Sequence, residues 1–207
     1  MDEKYMRMAI ELAEKGRGRT SPNPLVGAVV VKDGRIIGQG YHEKYGEFHA
    51  ERNALLHCSE DPTGATIYAT LEPCKHYGRT PPCTEIILES GIKRVVIGAM
   101  DSNAKAGGGA EILKSHGLEV TTGVLERECR EQNRIFFHFI ETGMPYVVMK
   151  YGMTLDGKIA TKRGNSKWIT NESSRQSVQK MRNKYTGIMV GIGTVLADDP
   201  MLNTRIE

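Results

Sequence analysis

The 207-residue sequence predicts an α/β protein: a three-layer α/β/α domain over residues 1–143, followed by the first part of a second α/β domain over 145–207. Three observations predict it. After an N-terminal helix pattern and a hairpin, short apolar runs alternate with segments of helical period, the order of strands and covering helices in a layered sheet. At Thr142-Gly143-Met144-Pro145 the pattern stops and restarts, which marks a boundary. The length suffices for one domain with a full core and part or all of another, and 39% hydrophobic with 26% charged residues is an ordinary globular balance.

Tyr5, Met8, Ala9, Leu12 and Ala13 repeat at helical spacing over residues 2–15, with Asp2 as the expected cap and Gly16 and Gly18 ending the run. Residues 26–40 read as a hairpin turned at Asp33-Gly34, where a tight turn needs positive φ. A helix is expected over 49–58, with Ala50, Ala54 and Leu55 inward, and a strand over 65–71. A helix over 83–92 stops at Gly91, and residues 93–100 form the next strand. Residues 109–117 read as a helix, 118–125 as a strand and 126–142 as one longer helix. Past Pro145, residues 146–160 read as strand and turn, 173–183 as a helix, and 187–196 as strand and loop. The chain ends at Met201–Glu207 with no closing element, so the second domain is expected to be incomplete here.

Several classes are disfavoured. No run of eighteen apolar residues exists to span a membrane, and the acidic start Met1-Asp2-Glu3-Lys4 lacks the pattern of a signal peptide. A cytoplasmic location follows as an expectation, with Cys58, Cys74, Cys83 and Cys129 reduced. That compartment disfavours a Cys74–Cys83 disulfide, the plainest alternative for the pair. A net charge of +3 without a basic cluster, and only 6% aromatics, does not suggest nucleic acid but suits a small anionic substrate.

The chemistry concentrates in four residues. His49-Ala50-Glu51 opens a helix, Pro73-Cys74 ends a strand, and Pro82-Cys83 opens the next helix. One imidazole and two thiolates give Zn²⁺ three ligands and keep a fourth position for water, whose pKa falls towards roughly 7. Helix N-termini at His49 and Cys83 favour the thiolate and developing negative charge. Glu51, two residues from a ligand, can point into the pocket, accept a proton from the attacking water, and return it to a ring nitrogen and then to the leaving amine. His-x-Glu followed by Pro-Cys-x-x-Cys marks zinc nucleobase deaminases; here eight residues rather than two separate the cysteines.

That departure is itself informative. Residues 21–31 (SPNPLVGAVVV), His49-Ala50-Glu51 and residues 70–83 (TLEPCKHYGRTPPC) closely resemble the deaminase half of the bifunctional riboflavin-biosynthesis deaminase/reductase family, over residues 1 to about 143. The resemblance implies a cytidine-deaminase-like fold. It also implies deamination of 2,5-diamino-6-ribosylamino-4(3H)-pyrimidinone 5′-phosphate to the pyrimidinedione, with His49, Cys74 and Cys83 on zinc and Glu51 catalytic. Substrate contacts are expected from His76 and Arg79, whose donors suit ribose hydroxyls and phosphate. Asn23, held between two prolines, and His42, just after the hairpin, are further candidates. Asp101 and Asn103 follow a strand, where an α/β sheet places ligands. The family's loop there is Asp-Pro-Asn-Pro and then Val-Ala-Gly-Arg/Lys-Gly. This chain has DSNAKAGGG at 101–109, so Gly108 stands at the basic position and Lys105 is the candidate to replace its charge. His57, His116, His138, Cys58 and Cys129 carry no motif and read as structural or exposed.

Residues 145–207 resemble the start of the same family's reductase domain, which has a dihydrofolate-reductase-like fold and uses NADPH to reduce the ribosyl group to ribityl. The resemblance puts Gly152, Trp168, Thr194 and Asp198 at the cofactor, and Ser166, Arg182, Leu202 and Arg205 at the substrate. Little or no reductase activity is expected of these 207 residues by themselves, and a homo-oligomer, dimer or tetramer, is expected from the family. Two other readings stay open at this point. One is a zinc deaminase acting on cytosine, guanine or a tRNA base. The other is a structural zinc module, which needs a fourth protein ligand, with His76 the nearby candidate.

Overall fold

The computed structural model of the chain describes residues 1–205. Ile206 and Glu207, the end of the second predicted domain, lie outside the described residues. Two compact units are present, Met1–Tyr146 and Val147–Glu207.

In the first unit the chain runs α1 (Asp2–Glu14), β1 (Gly27–Lys32), β2 (Arg35–Tyr41), α2 (Ala50–Leu56), β3 (Thr66–Leu71), α3 (Cys83–Glu89), β4 (Arg94–Ala99), α4 (Gly109–Ser115), β5 (Glu119–Thr122), α5 (Glu126–Gln132) and α6 (Arg134–Thr142). The five strands form one sheet in the order β2-β1-β3-β4-β5. β1 is antiparallel to both β2 and β3, while β3, β4 and β5 are parallel. Every strand but β1 therefore points the same way. α1 and α5 pack on each other and on the sheet, and α2, α3 and α4 form a second group on it. With both faces covered, the central strands are continuously apolar: Ala28, Val29 and Val30 of β1 and Val95, Val96 and Ile97 of β4 are fully buried.

The hairpin turns as the sequence predicts, with Asp33 at φ 50° and Gly34 at φ 75°. α1 departs in detail. Met6 is fully buried, whereas Met8 and Leu12 are only partly so. Asp2 is not the cap but the first helical residue. Its carboxylate instead ties α1 to the sheet, accepting from Arg94 Nη1 at 3.0 Å, Arg94 Nη2 at 2.8 Å and the Tyr68 hydroxyl at 2.9 Å. The Arg94 hydrogen bonds hold the Asp2 carboxyl below the usual carboxylate range. A depressed folded-state pKa contributes stability that is present above the unfolded value, about 3.9, and lost as pH falls through the folded one. The two side chains are 31% and 23% exposed, so the expected size is about 1 kcal/mol. Urea unfolding from pH 6 down to pH 2 should show this loss in the wild type and not in Asp2→Asn; parallel curves would refute it.

The single helix expected over 126–142 is two. Asn133 breaks it at φ −107°, ψ 21°. Its buried amide pairs with both main-chain groups of Leu25: Oδ1 accepts from Leu25 N and Nδ2 donates to Leu25 O, each at 2.8 Å. This pairing fixes the Asn23–Val26 segment as it enters β1. Asn133→Ala leaves two buried backbone groups unpaired, and is expected to cost about 2–4 kcal/mol in denaturant unfolding; a midpoint within error of wild type would contradict the pairing.

The second unit contains α7 (Glu172–Lys184) and α8 (Ile192–Asp198). Asn171 caps α7, its Oδ1 accepting from Ser174 N at 2.9 Å. The strands expected within 146–160 and 187–196 are not formed among the described residues, and residues 192–198 are helical instead. Extended segments need a neighbour for their N–H and C=O groups, and none pairs with them here.

Candidate active site

Topology explains why residues scattered over 80 positions meet. β2, β3 and β4 all end at one side of the sheet, and antiparallel β1 begins there, Gly27 lying opposite Tyr41. The segments leaving or entering at that side carry Asn23 before β1, His42 and His49 after β2, Cys74 after β3, and Asp101 after β4. Such strand ends are where α/β sheets place ligands. Gly40 lets α2 lie directly on β2: a Cβ there would come within 2.6 Å of Ala50 O.

His49 is the N-cap of α2, at φ −74° and ψ 164°, and Cys83 is the first residue of α3. Their donor atoms converge with Cys74: His49 Nδ1 is 3.5 Å from each Sγ, and all three donors lie within 4.8 Å of one another. Tetrahedral zinc at about 2.1 Å from nitrogen and 2.3 Å from sulfur separates its ligands by roughly 3.5–3.8 Å. The triad therefore fits that ion. All four cysteines are free thiols, so the Cys74–Cys83 disulfide is not formed. The Cys83 thiol hydrogen bond holds the Cys74 pKa low against the cost of burial, with His49 assisting, which favours a thiolate ligand. His76 is not part of the donor group among the described residues. The set has three protein ligands, the number that characterises open rather than closed zinc sites.

Glu51 is 3% exposed and lines a cavity of about 420 Å³ together with His49 and Cys74. Burial pushes its carboxyl up to about 7. The same cavity collects all six residues expected at the substrate: Asn23, His42, His76, Arg79, Asp101 and Asn103. His42 is 2% exposed; its Nδ1 donates to Phe48 O at 3.0 Å, so its Nε2 accepts from Asn23 Nδ2 at 3.2 Å. That bond turns the Asn23 carbonyl away from His42. Burial lowers the His42 pKa and keeps the ring neutral. Asp101 Oδ1 accepts from Asn103 N, and Asn103 Oδ1 from Lys105 N, a pair of tight turns that shape the loop.

Three residues at the site had escaped the sequence reading. Glu72 is buried and accepts three main-chain bonds, from Asp101 N at 3.1 Å, Gly108 N at 3.0 Å and Ala110 N at 2.9 Å. It staples the 101–110 loop beside Cys74. Its only signal is a carboxylate before Pro-Cys. Tyr45 and Lys75 are the others. Lys105 is exposed, and the atoms closest to a Cβ on Gly108 belong to Lys75, whose Nζ would lie at 2.8 Å. The Lys75 ammonium thus lies beside Gly108, the position at which the resemblance puts the family's basic residue. His57 caps α2 through Nδ1 to Asn53 O, and Cys129 is fully buried in the core.

In the second unit, Arg182 Nη1 donates to Met201 O and Asn203 O, and Arg205 reaches Asn203 Oδ1 and Gln179. This draws Arg182, Leu202 and Arg205 together beside α7. Trp168 is exposed, with the Arg175 guanidinium 4.5 Å over its ring, and Gly152 lies against Thr170. Ser166 is exposed, Thr194 lies in the first turn of α8, and Asp198 ends that helix.

Fold and site together define a cytidine-deaminase-like domain with a zinc site of the His/Cys/Cys kind. Residues 1–99 match the family model for the cytidine and deoxycytidylate deaminase zinc-binding region, and residues 145–207 match that of the RibD C-terminal domain. The chain is 60% identical over 206 residues to the riboflavin biosynthesis protein RibD of Actinobacillus pleuropneumoniae, covering 99% of this chain and 55% of that protein. Among solved structures, it matches the diaminohydroxyphosphoribosylaminopyrimidine deaminase/5-amino-6-(5-phosphoribosylamino)uracil reductase of Thermotoga maritima with a TM-score of 0.95 and 53% identity, over 100% of this chain and 60% of that one. The Rib2 deaminase of Aspergillus oryzae, solved in complex with DARIPP, matches at a TM-score of 0.53 and 28% identity, over 68% of this chain and 93% of that one. The chain belongs to the RibD family of riboflavin-biosynthesis deaminase/reductases, with the deaminase domain and part of the reductase domain. It spans a little over half the length of the curated relatives it matches.

Proposed function

We propose that the first unit catalyses the zinc-dependent hydrolytic deamination of 2,5-diamino-6-ribosylamino-4(3H)-pyrimidinone 5′-phosphate in riboflavin biosynthesis. The observation that carries this is a buried carboxylate, Glu51, beside a three-donor metal site in a cavity of about 420 Å³ that also holds the Arg79 cation. His49, Cys74 and Cys83 would hold zinc, which when bound would make a water acidic enough to attack at neutral pH. Glu51 would take one proton from the attacking water and give it to the ring nitrogen, then take the remaining hydroxyl proton of the tetrahedral adduct and give it to the departing amine, so that the C–N bond breaks as the carbonyl forms. Asn23, oriented by His42, meets the base edge. His76, Arg79, Asp101 and Asn103 hold the ribosyl phosphate, and Arg79 suits the phosphate because its planar fork can bind two oxygens. The complex of the Aspergillus Rib2 deaminase with DARIPP supports this substrate class.

The second unit is read from its family as part of an NADPH-dependent reductase. Gly152, Trp168, Thr194 and Asp198 would contact the cofactor, and Ser166, Arg182, Leu202 and Arg205 the substrate. The family also supports a homo-oligomer, and no nucleic acid or membrane partner enters this reading. No helix among the described residues is long and apolar enough to cross a membrane.

The test is zinc content together with ultraviolet-monitored deamination by the purified chain. One zinc per chain and conversion of the diaminopyrimidinone phosphate are expected. Zinc without conversion would keep the site and remove the substrate, with cytosine and guanine tried next.

A further inference from the structure

Arg79 lies in the insert between the two cysteines and lines the cavity. Its guanidinium sits 4.6 Å over the ring of Tyr45, which lines the cavity from the opposite segment, between β2 and α2. The side chain runs along Gly46, where a Cβ would come within 3.1 Å of Nη1 and where φ is +89°. Glycine there both permits the turn and leaves room for the arginine.

The segment carrying Tyr45 is anchored along its length. Tyr45 N donates to Arg19 O at 3.0 Å. Asn53 Nδ2 donates to Tyr41 O at 2.9 Å, and His42 Nδ1 to Phe48 O at 3.0 Å. Among the described residues no carboxylate forms an ion pair with Arg79. An exposed cation without a carboxylate partner is thus laid on an anchored aromatic ring in the lining of the cavity that also contains the buried Glu51.

We propose that Tyr45 is a positioning residue that holds Arg79 across the cavity to receive the anionic end of the substrate. This rests on the reading of the cavity as a site for a phosphorylated pyrimidine. A planar guanidinium can stack on the ring and still present donor N–H groups at its edge to a phosphate, which a lysine ammonium cannot do in the same way. The shelf restricts the rotamers of a long side chain before the ligand arrives, so less ordering is left for binding. Tyr45 is neither one of the metal donors nor the proton-transfer group, so its effect belongs to binding and not to the chemical step.

The test uses the zinc-loaded chain with Tyr45→Ala, Tyr45→Phe, Arg79→Ala and the Tyr45→Ala/Arg79→Ala double variant. Deamination kinetics and calorimetric titration with ribose 5-phosphate are both read. Tyr45→Ala is expected to raise KM and weaken ribose 5-phosphate about fivefold, with kcat within about twofold. Tyr45→Phe, which keeps the ring, should stay near wild type. In the Arg79→Ala background, adding Tyr45→Ala should change neither quantity, because the ring acts only through the guanidinium. Equal effects of Tyr45→Ala with and without Arg79, or no effect at all, would overturn the proposal. If the wild type binds ribose 5-phosphate but does not deaminate, the proposed reaction falls and the binding cycle alone decides the role of Tyr45. If it does neither, both readings fall.

Discussion

Glu51→Gln is expected to lower the deamination rate about 10²–10⁴-fold while leaving one zinc bound per chain. Glutamine keeps the shape of the side chain in its 3%-exposed position, so folding and the His49–Cys74–Cys83 donor set should survive. What it loses is an oxygen that can take up and release a proton, and the reaction needs that twice. Metal analysis and ultraviolet-monitored turnover on the same preparation separate the two roles. A variant retaining zinc and more than a tenth of wild-type activity would remove Glu51 from the chemistry and return the site to a structural zinc role.

The second large effect is expected at a residue that touches no substrate in the proposed reaction. Both oxygens of Glu72 accept main-chain N–H bonds, from Asp101 on one side and from Gly108 and Ala110 on the other. A carboxylate can do this and an amide cannot: in either orientation, the NH₂ of a glutamine would face a buried N–H donor. Three hydrogen bonds to a charged acceptor compensate the burial of that acceptor. Glu72→Gln is therefore expected to cost about 2–4 kcal/mol, read as a lowered urea midpoint. Glu111→Gln, at a position 70% exposed in α4, serves as control, with a change of less than about 0.5 kcal/mol. Equal midpoints for the two variants would show that Glu72 does not hold the 101–110 loop.

The metal donors and Glu51 were legible in the sequence because their chemistry restricts residue type. Few side chains other than histidine and cysteine combine into an open zinc site, and the carboxylate stands two residues from a ligand. Glu72, Asn133 and Tyr45 were not legible. Each acts through a partner distant along the chain: Gly108 for Glu72, Leu25 for Asn133 and Arg79 for Tyr45. A glutamate before Pro-Cys or an asparagine inside a helical pattern reads as unremarkable until the partner is in view. The break at Asn133 shows the same thing from the other side. Helical periodicity ran continuously over 126–142, and the buried amide pairing with Leu25 overrode it. In the second unit, apolar runs suggested strands, but strand identity depends on a neighbour that accepts the ladder, and no such neighbour pairs with residues 146–160 or 187–190 among the described residues.

The sequence by itself determined the alternation of strands and helices, the Asp33-Gly34 turn and the residue types available to hold a metal and move a proton. These are local matters, set by periodicity, backbone preference and side-chain chemistry. Only the tertiary structure decided which residues became neighbours. Because β1 runs antiparallel between β2 and β3, its start and their ends share one side of the sheet. Asn23, His49, Cys74 and Asp101 are brought there from four separate segments. The contacts that then fix their orientation, Glu72 to the loop, His42 to Asn23 and Tyr45 to Arg79, exist only in three dimensions, since each joins groups that the chain itself keeps apart.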